Sequence, residues 1–268
     1  MIVMKFRIPF RKERKAVSVI RLSGLIASGT RGQLNEQTLA PLIDKAFDKG
    51  SPSAVALLIN SPGGSPVQSS LIGARIRRLA EEKEIPVYAF VEDVAASGGY
   101  WLAAVADEIY VDPSSIVGSI GVISSSFGLH GLIDRYGVER RVYTAGESKS
   151  TLDPFKPEKP EEVKRIKSML EQVHATFKDH ITERRGDKLP KDHNLFTGEF
   201  WAGQKSIELG LADHIGHLDA VIKEKFGENV RIKIYGPKKG WAARFSGKIF
   251  DDVALVLEEK IAFAKFGL

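Results

Sequence analysis

Cysteine is absent from all 268 residues of the chain. That excludes disulfides, thiolate-ligated zinc and a thiol nucleophile. Long apolar runs are missing too. None reaches the ~18 residues of a membrane-spanning helix. Met1 to Lys15 has only short apolar pieces, broken by Lys5, Arg7 and Arg11, and no cleavage-like site, so no secretory signal is expected. Histidine is sparse: His130, His174, His180, His193, His214 and His217. None sits in a Gly-rich or small-residue loop after an early strand. His214 and His217 lie three apart with no helix or carboxylate motif, so no metal is expected. No other cofactor is expected either.

The net charge of +5 is carried by residues 1–15, and the rest of the chain is balanced. A balanced body argues against nucleic acid as a partner. The basic arm, residues 1–15, is expected to be solvated, or to make peripheral contact with an anionic membrane surface. At 43% hydrophobic and 27% charged residues, the composition is that of a soluble globular protein. The expected location is cytoplasmic or membrane-peripheral.

The stretch Val91 to Trp101 organises the reading of the rest. An apolar, β-branched run, 85–91, leads into it and predicts a buried strand. Tyr100 to Ala106 predicts a buried helix. Ser97 therefore falls at a strand-to-helix turn, with small residues before it and Gly98-Gly99 after it. Such a turn can expose a hydroxyl and aim backbone N–H groups at developing negative charge. Its plain alternative is a serine helix cap with close packing at glycine.

Along the chain, strands are expected at 17–22, 54–59 and 86–91, with helices over 36–49 and 67–83 between them. That alternation predicts an α/β fold with a mostly parallel sheet and right-handed crossovers. Further strands are expected at 108–111, 138–143, 195–198 and 230–235. Helices are expected over 129–136, 161–185, 202–210 and 221–226. Residues 245–266 space their apolar side chains as an amphipathic helix, to pack on the body, on a sister subunit or on a membrane surface. Three regions result: a basic arm (1–15), a catalytic domain (16–227) and a C-terminal extension (228–268).

Three pieces in separate loops could carry chemistry. Ser97 is one. Asn60-Ser61-Pro62-Gly63-Gly64 is another, where two glycines let bare N–H groups approach a carbonyl. Gly64 and Gly98 would then complete an oxyanion hole. Lys149 is the third, flanked by Ser148 and Ser150 in a segment of small residues. A lysine can act as a base if its pKa falls from ~10.4 toward the working pH; ~3 units means ~4 kcal/mol of disfavoured charge, which needs a water-poor site. The residues alone do not single out Lys149 among the lysines.

Read together and in order, four segments resemble the signal peptide peptidase A family. They are 60–64, then Ala95-Ala96-Ser97-Gly98-Gly99-Tyr100-Trp101, then Gly118-Ser119-Ile120-Gly121-Val122, then Gly146-Glu147-Ser148-Lys149-Ser150. Phe196-Thr197-Gly198 and 202–213 resemble the family's closing segment. These are Ser/Lys-dyad serine proteases on the fold shared by the Clp protease proteolytic subunit and the crotonases, and the likeness is to the short single-domain form. The resemblance implies Ser97 as nucleophile, Lys149 as general base, Gly64 and Gly98 as oxyanion donors, and Ser119 as the serine that hydrogen-bonds the lysine. It also implies a ring-like homo-oligomer, in which the lysine reaches a neighbour's serine.

The function expected is a serine endopeptidase acting on extended apolar peptides, such as signal peptide remnants or membrane-protein segments. A peptide or unfolded protein is then the substrate partner. Two alternatives stand beside it: a crotonase-like acyl-CoA enzyme, which would use a carboxylate, and a non-catalytic peptide-binding scaffold.

Overall fold

A computed structural model describes residues 14–29, 33–146, 148–236, 257 and 259–268. The first unit is strand β1 (Ala16–Ser23), helix α1 (Glu36–Asp48), strand β2 (Ala54–Ser61), helix α2 (Pro66–Lys83) and strand β3 (Val87–Ala96). β1, β2 and β3 pair in parallel. Local sequence explains the helix starts. Asn35 caps α1 by accepting from the Thr38 N–H at 2.9 Å, and Ser65 caps α2 one residue before Pro66.

β2 shows why the centre of the sheet reads as one apolar run. Val55, Leu57 and Ile59 face the core under α1 and α2. Ala54, Ala56 and Leu58 face the opposite layer, with Phe90, Tyr110 and Ile222. Side chains alternate across a strand, so burial on both faces demands apolar residues throughout.

β3 runs on to Ala96, beyond the 86–91 predicted for it. Glu92 and Asp93 interrupt the apolar pattern, and a register shift absorbs them: Ile59 pairs Val91, but Ser61 pairs Ala95. The irregularity divides β3 between two neighbours. Its first half pairs strand β4 (Glu108–Val111), and its second half pairs strand β5 (Ile116–Gly118). Between the halves, the Ser115 hydroxyl donates to the Glu92 carbonyl at 2.6 Å. The short buried helix α3 (Gly98–Ala104) follows β3 directly.

After β5 the character changes. The described residues of 122–159 include only one short helix, α4 (His130–Arg135), and leave Phe127 and Tyr143 83% and 91% exposed. The strand expected at 138–143 does not form, since those residues have no ladder partner among the described residues. Helix α5 (Pro160–Arg185) then spans 26 residues, about 39 Å. Only its second half is buried, through Phe177, Ile181 and Arg185.

Strand β6 (Phe200–Ala202) closes antiparallel on β5. It replaces the strand expected at 195–198, because Gly198, at φ +87°, turns the chain there and delivers Phe200 to the free edge. Helix α6 (Gly203–Glu208), strand β7 (His214–Ile215), helix α7 (Leu218–Phe226) and strand β8 (Arg231–Tyr235) complete the described body. β8 lies parallel to β1, so the main sheet runs β6-β5-β3-β2-β1-β8. The fold is α/β with a mostly parallel sheet flanked by helices, as the sequence predicts. The basic arm through Glu13 and residues 245–256 of the expected C-terminal helix lie outside the described residues. Residues 259–264 are helical, and Phe266 meets Phe200 edge-on.

One buried ion pair locks the closing segment to α5. Arg185, with a side chain 1% exposed, donates to the Gly210 carbonyl at 2.6 and 2.9 Å and to both Asp213 oxygens at 2.8 and 3.1 Å. Asp213 also accepts from the Ile109 N–H. Tyr100, on α3, donates to the Leu211 carbonyl at 2.9 Å. Burial pushes the Asp213 carboxyl up, but Arg185 and Lys188 outweigh it and hold it below the ordinary carboxylate value. Its stabilisation is therefore complete above the unfolded value of about 3.9 and is lost as pH falls through the folded one. Arg185→Ala leaves Asp213 half-paired and should cost about 3–5 kcal/mol of stability, read by urea unfolding at pH 7.

Candidate active site

The turn after β3 carries the most unusual backbone of the site. Ser97 sits at φ +52°, ψ −122°. A non-glycine residue held there costs about 1–3 kcal/mol and persists only when its surroundings enforce it. Here they do. The Ser97 N–H donates to the Gly118 carbonyl at 2.8 Å, extending the β3–β5 ladder by one bond, and its carbonyl accepts from the Trp101 N–H at 3.0 Å. The strained strand-to-helix turn lifts Oγ clear of the sheet, as a nucleophile requires. That hydroxyl caps nothing in α3.

The Asn60–Gly64 loop packs directly against this turn. A Cβ on Gly63 would lie 2.8 Å from both the Gly98 nitrogen and the Ser97 Cβ. A Cβ on Gly64, where φ is +141°, would lie 2.0 Å from the Ile26 carbonyl oxygen. Only glycine lets the loop pass between Ile26 and Ser97. Gly64 and Gly98 border a cavity of about 110 Å³ together with Ser97. Neither N–H donates a hydrogen bond among the described residues. Two free donors beside a free hydroxyl can hold a tetrahedral oxyanion.

Pro66, Trp101, Val122, Ile123, Val173 and Phe177 make most of the remaining lining apolar, and Gly121 and Ser69, whose hydroxyl donates to the Ser65 carbonyl at 2.9 Å, complete it. Trp101 is fixed by Phe177, with ring centroids 5.2 Å apart, and by His180, stacked at 4.2 Å. Burial lowers the His180 pKa. His180 packs behind Trp101, and no histidine lines the cavity. Among the described residues, no three side chains of His, Asp or Glu converge as metal ligands.

The structure thus brings Ser97, Gly64 and Gly98 to one point. Ser119 lies beside them as the first residue past β5, at φ +54°, with its N–H donating to the Glu199 carbonyl. Lys149 is elsewhere. It lies exposed in a turn of the 122–159 segment, and among the described residues no lysine lines the cavity. That turn is tied to the start of α5, where the Leu152 N–H donates to Glu162 at 3.0 Å. Val173, at the cavity, lies about 16 Å farther along the helix axis. The residues forming the cavity floor, Trp101, Val173 and Phe177, read in sequence only as core. The i, i+4 spacing of Val173 and Phe177 shows a shared face, not that the face borders a cavity.

A protein-family model for peptidase family S49 matches residues 80–230. The chain belongs to peptidase family S49. A relative from Brucella abortus named as the Na(+)/H(+) antiporter NhaA is 46% identical over 97% of this chain, which spans 38% of that protein. The probable protease SohB of Haemophilus influenzae is 34% identical, over 87% of this chain and 65% of its own length. Among solved structures, a membrane-bound stomatin-specific protease matches with a TM-score of 0.45 and 13% identity, over 85% of this chain and 99% of that one.

In this S49 chain, Gly64→Ala should displace the loop, because the added methyl meets backbone at Ile26. On the expectation that Ser97 is the nucleophile and Gly64 an oxyanion donor, labelling of Ser97 by a fluorophosphonate should slow by about a hundredfold. Intact-protein mass spectrometry against time measures it, with Ser97→Ala as the unlabelled reference.

Proposed function

We propose that the chain is a serine endopeptidase for extended apolar peptides, with Ser97 as nucleophile and Lys149 of an adjacent subunit as general base. The observation that carries this reading is the strained Ser97 turn, whose hydroxyl caps nothing and which lines one largely apolar cavity together with Gly64 and Gly98. Family membership supports the reaction class. Among the described residues no carboxylate lines the cavity, which favours peptide hydrolysis over the crotonase-like alternative.

The exposed position of Lys149 supports action between chains. An amine in bulk water stays protonated and cannot take the Ser97 proton. Docked in a neighbour's cavity, away from water, its charged form loses hydration and the free base becomes accessible. The apolar side chains left bare along residues 122–159 support a homo-oligomer built through that segment. A likeness to this whole chain within a protein named as an antiporter supports work at a membrane surface.

Ser97 Oγ attacks the peptide carbonyl while Lys149 Nζ takes its proton. The N–H groups of Gly64 and Gly98 hold the oxyanion. The tetrahedral species collapses, the C–N bond breaks, and Lys149 returns the proton to the leaving amine. Water then attacks the acyl ester with Lys149 again as base, releasing the acid and restoring Ser97. The apolar cavity takes the side chain next to the scissile bond, and Ser119 holds the lysine amine.

Ser97→Ala and Lys149→Ala should each abolish cleavage of a fluorogenic apolar peptide. Mixing the two dead variants under conditions that exchange subunits should restore activity. In a ring with random mixing, about a quarter of the junctions pair an intact serine with an intact lysine. A mixture as inactive as its parts, with exchange verified by native mass spectrometry, would refute action between subunits.

A further inference from the structure

The turn that presents Lys149 is braced by a side-chain network outside the cavity. Asp153, with a side chain only 3% exposed, lies at its centre. One of its oxygens accepts from the Phe155 N–H at 3.0 Å and pairs with the Arg140 guanidinium. The other accepts from the Ser150 hydroxyl at 3.0 Å, one residue beyond Lys149. The Arg140 guanidinium also sits over the Phe155 ring, 4.7 Å from its centroid. Backbone bonds anchor the same turn on either side. The Leu129 N–H donates to the Pro154 carbonyl at 2.6 Å, and the Leu152 N–H to Glu162 at 3.0 Å. Leu152 itself is held at φ +52°.

We propose that Asp153 and Arg140 form a clamp that positions Lys149: positioning residues, not catalytic ones. The proposal rests on the reading of Lys149 as general base. The physical case is one of preorganisation. A lysine has four rotatable side-chain bonds, and its backbone is the only part that a lone subunit can fix. Among its described residues, the surrounding segment carries no ladder to hold that backbone. Asp153 supplies the missing rigidity by gathering three donors from 140, 150 and 155 around one carboxylate. Hydrogen bonds from Phe155, Arg140 and Ser150 hold that carboxyl below its usual range, so it stays charged at neutral pH. Stretch 138–143, which forms no strand, gains a role as the carrier of Arg140.

Asp153→Asn and Arg140→Ala test the clamp in the full chain, with a fluorogenic apolar peptide as substrate. A displacement of about 1 Å at a catalytic group costs up to ~100-fold, so kcat should fall by about 10- to 100-fold while KM stays within about twofold. The acid limb of the kcat profile should also move to higher pH, because a loosely held amine keeps more water and holds its proton more tightly. Arg140→Lys should recover part of the rate. A merely structural role would lower the melting temperature and leave the pH limb in place.

If both variants keep the wild-type kcat and pH profile while Lys149→Ala is dead, the clamp is wrong and the dyad stands. If Lys149→Ala cleaves as fast as wild type, the dyad is wrong and the clamp goes with it. Should Asp153→Asn not fold, Ser150→Ala carries the test. It removes one half-buried partner of Asp153, and an unchanged kcat and pH profile there would equally overturn the clamp.

Discussion

The left-handed backbone at Ser97 is the constraint on which the rest of the site depends. It is unfavourable by itself, by about 1–3 kcal/mol. It survives because both of its neighbours are fixed. On one side, β3 ends in a ladder bond to Gly118. On the other, every residue of α3 is buried. Tyr100 reaches from that helix to the Leu211 carbonyl, and Arg185 and Asp213 hold the segment to which Leu211 belongs. The buried ion pair thus stands behind the Ser97 turn without touching it. Such a pair adds little net stability over an apolar core, but losing one partner is costly. Its contribution here is to fix the arrangement.

The register shift at Glu92 and Asp93 serves the same end. A straight β3 would stay beside β4 and carry Ser97 away from β5. The shift lets one strand pair both, and sets Ser97 and Ser119 side by side at the ends of β3 and β5. Both serines have positive φ. Two adjacent strands therefore end in left-handed residues side by side. α5 joins this rigid body to the looser 122–159 segment. Its second half forms the cavity floor, and its first half, with Met169 exposed, packs on little of its own chain. Rigid geometry surrounds the hydroxyl, while the exposed segment carries the lysine and the apolar surface.

Much of the body was legible in the residues. β1 and β2 follow from short apolar runs and α1 and α2 from apolar residues at helical spacing, and local chemistry decides such elements. The strand-to-helix turn at Ser97 was legible because an apolar run gives way to small residues. Other features were not. The extension of β3 to Ala96 was hidden, since two acids read as an interruption. The strand expected at 138–143 has the right composition but no neighbouring edge to pair with. β6 falls at 200–202 and not at 195–198, because the edge of β5 decides where a strand can form.

By itself, the sequence determined the residue types available for chemistry: no thiol, few histidines, a serine between small residues, and glycines where backbones must pass closely. It determined the alternation of elements as well, since helix and strand periods are local properties. Tertiary structure alone decided which of those pieces meet. It placed the Gly64 loop against the Ser97 turn, made a cavity floor from α5, and left Lys149 outside that cavity. Contacts of this kind depend on register, strand order and long-range packing, and no local pattern encodes the distance between two loops far apart in the chain.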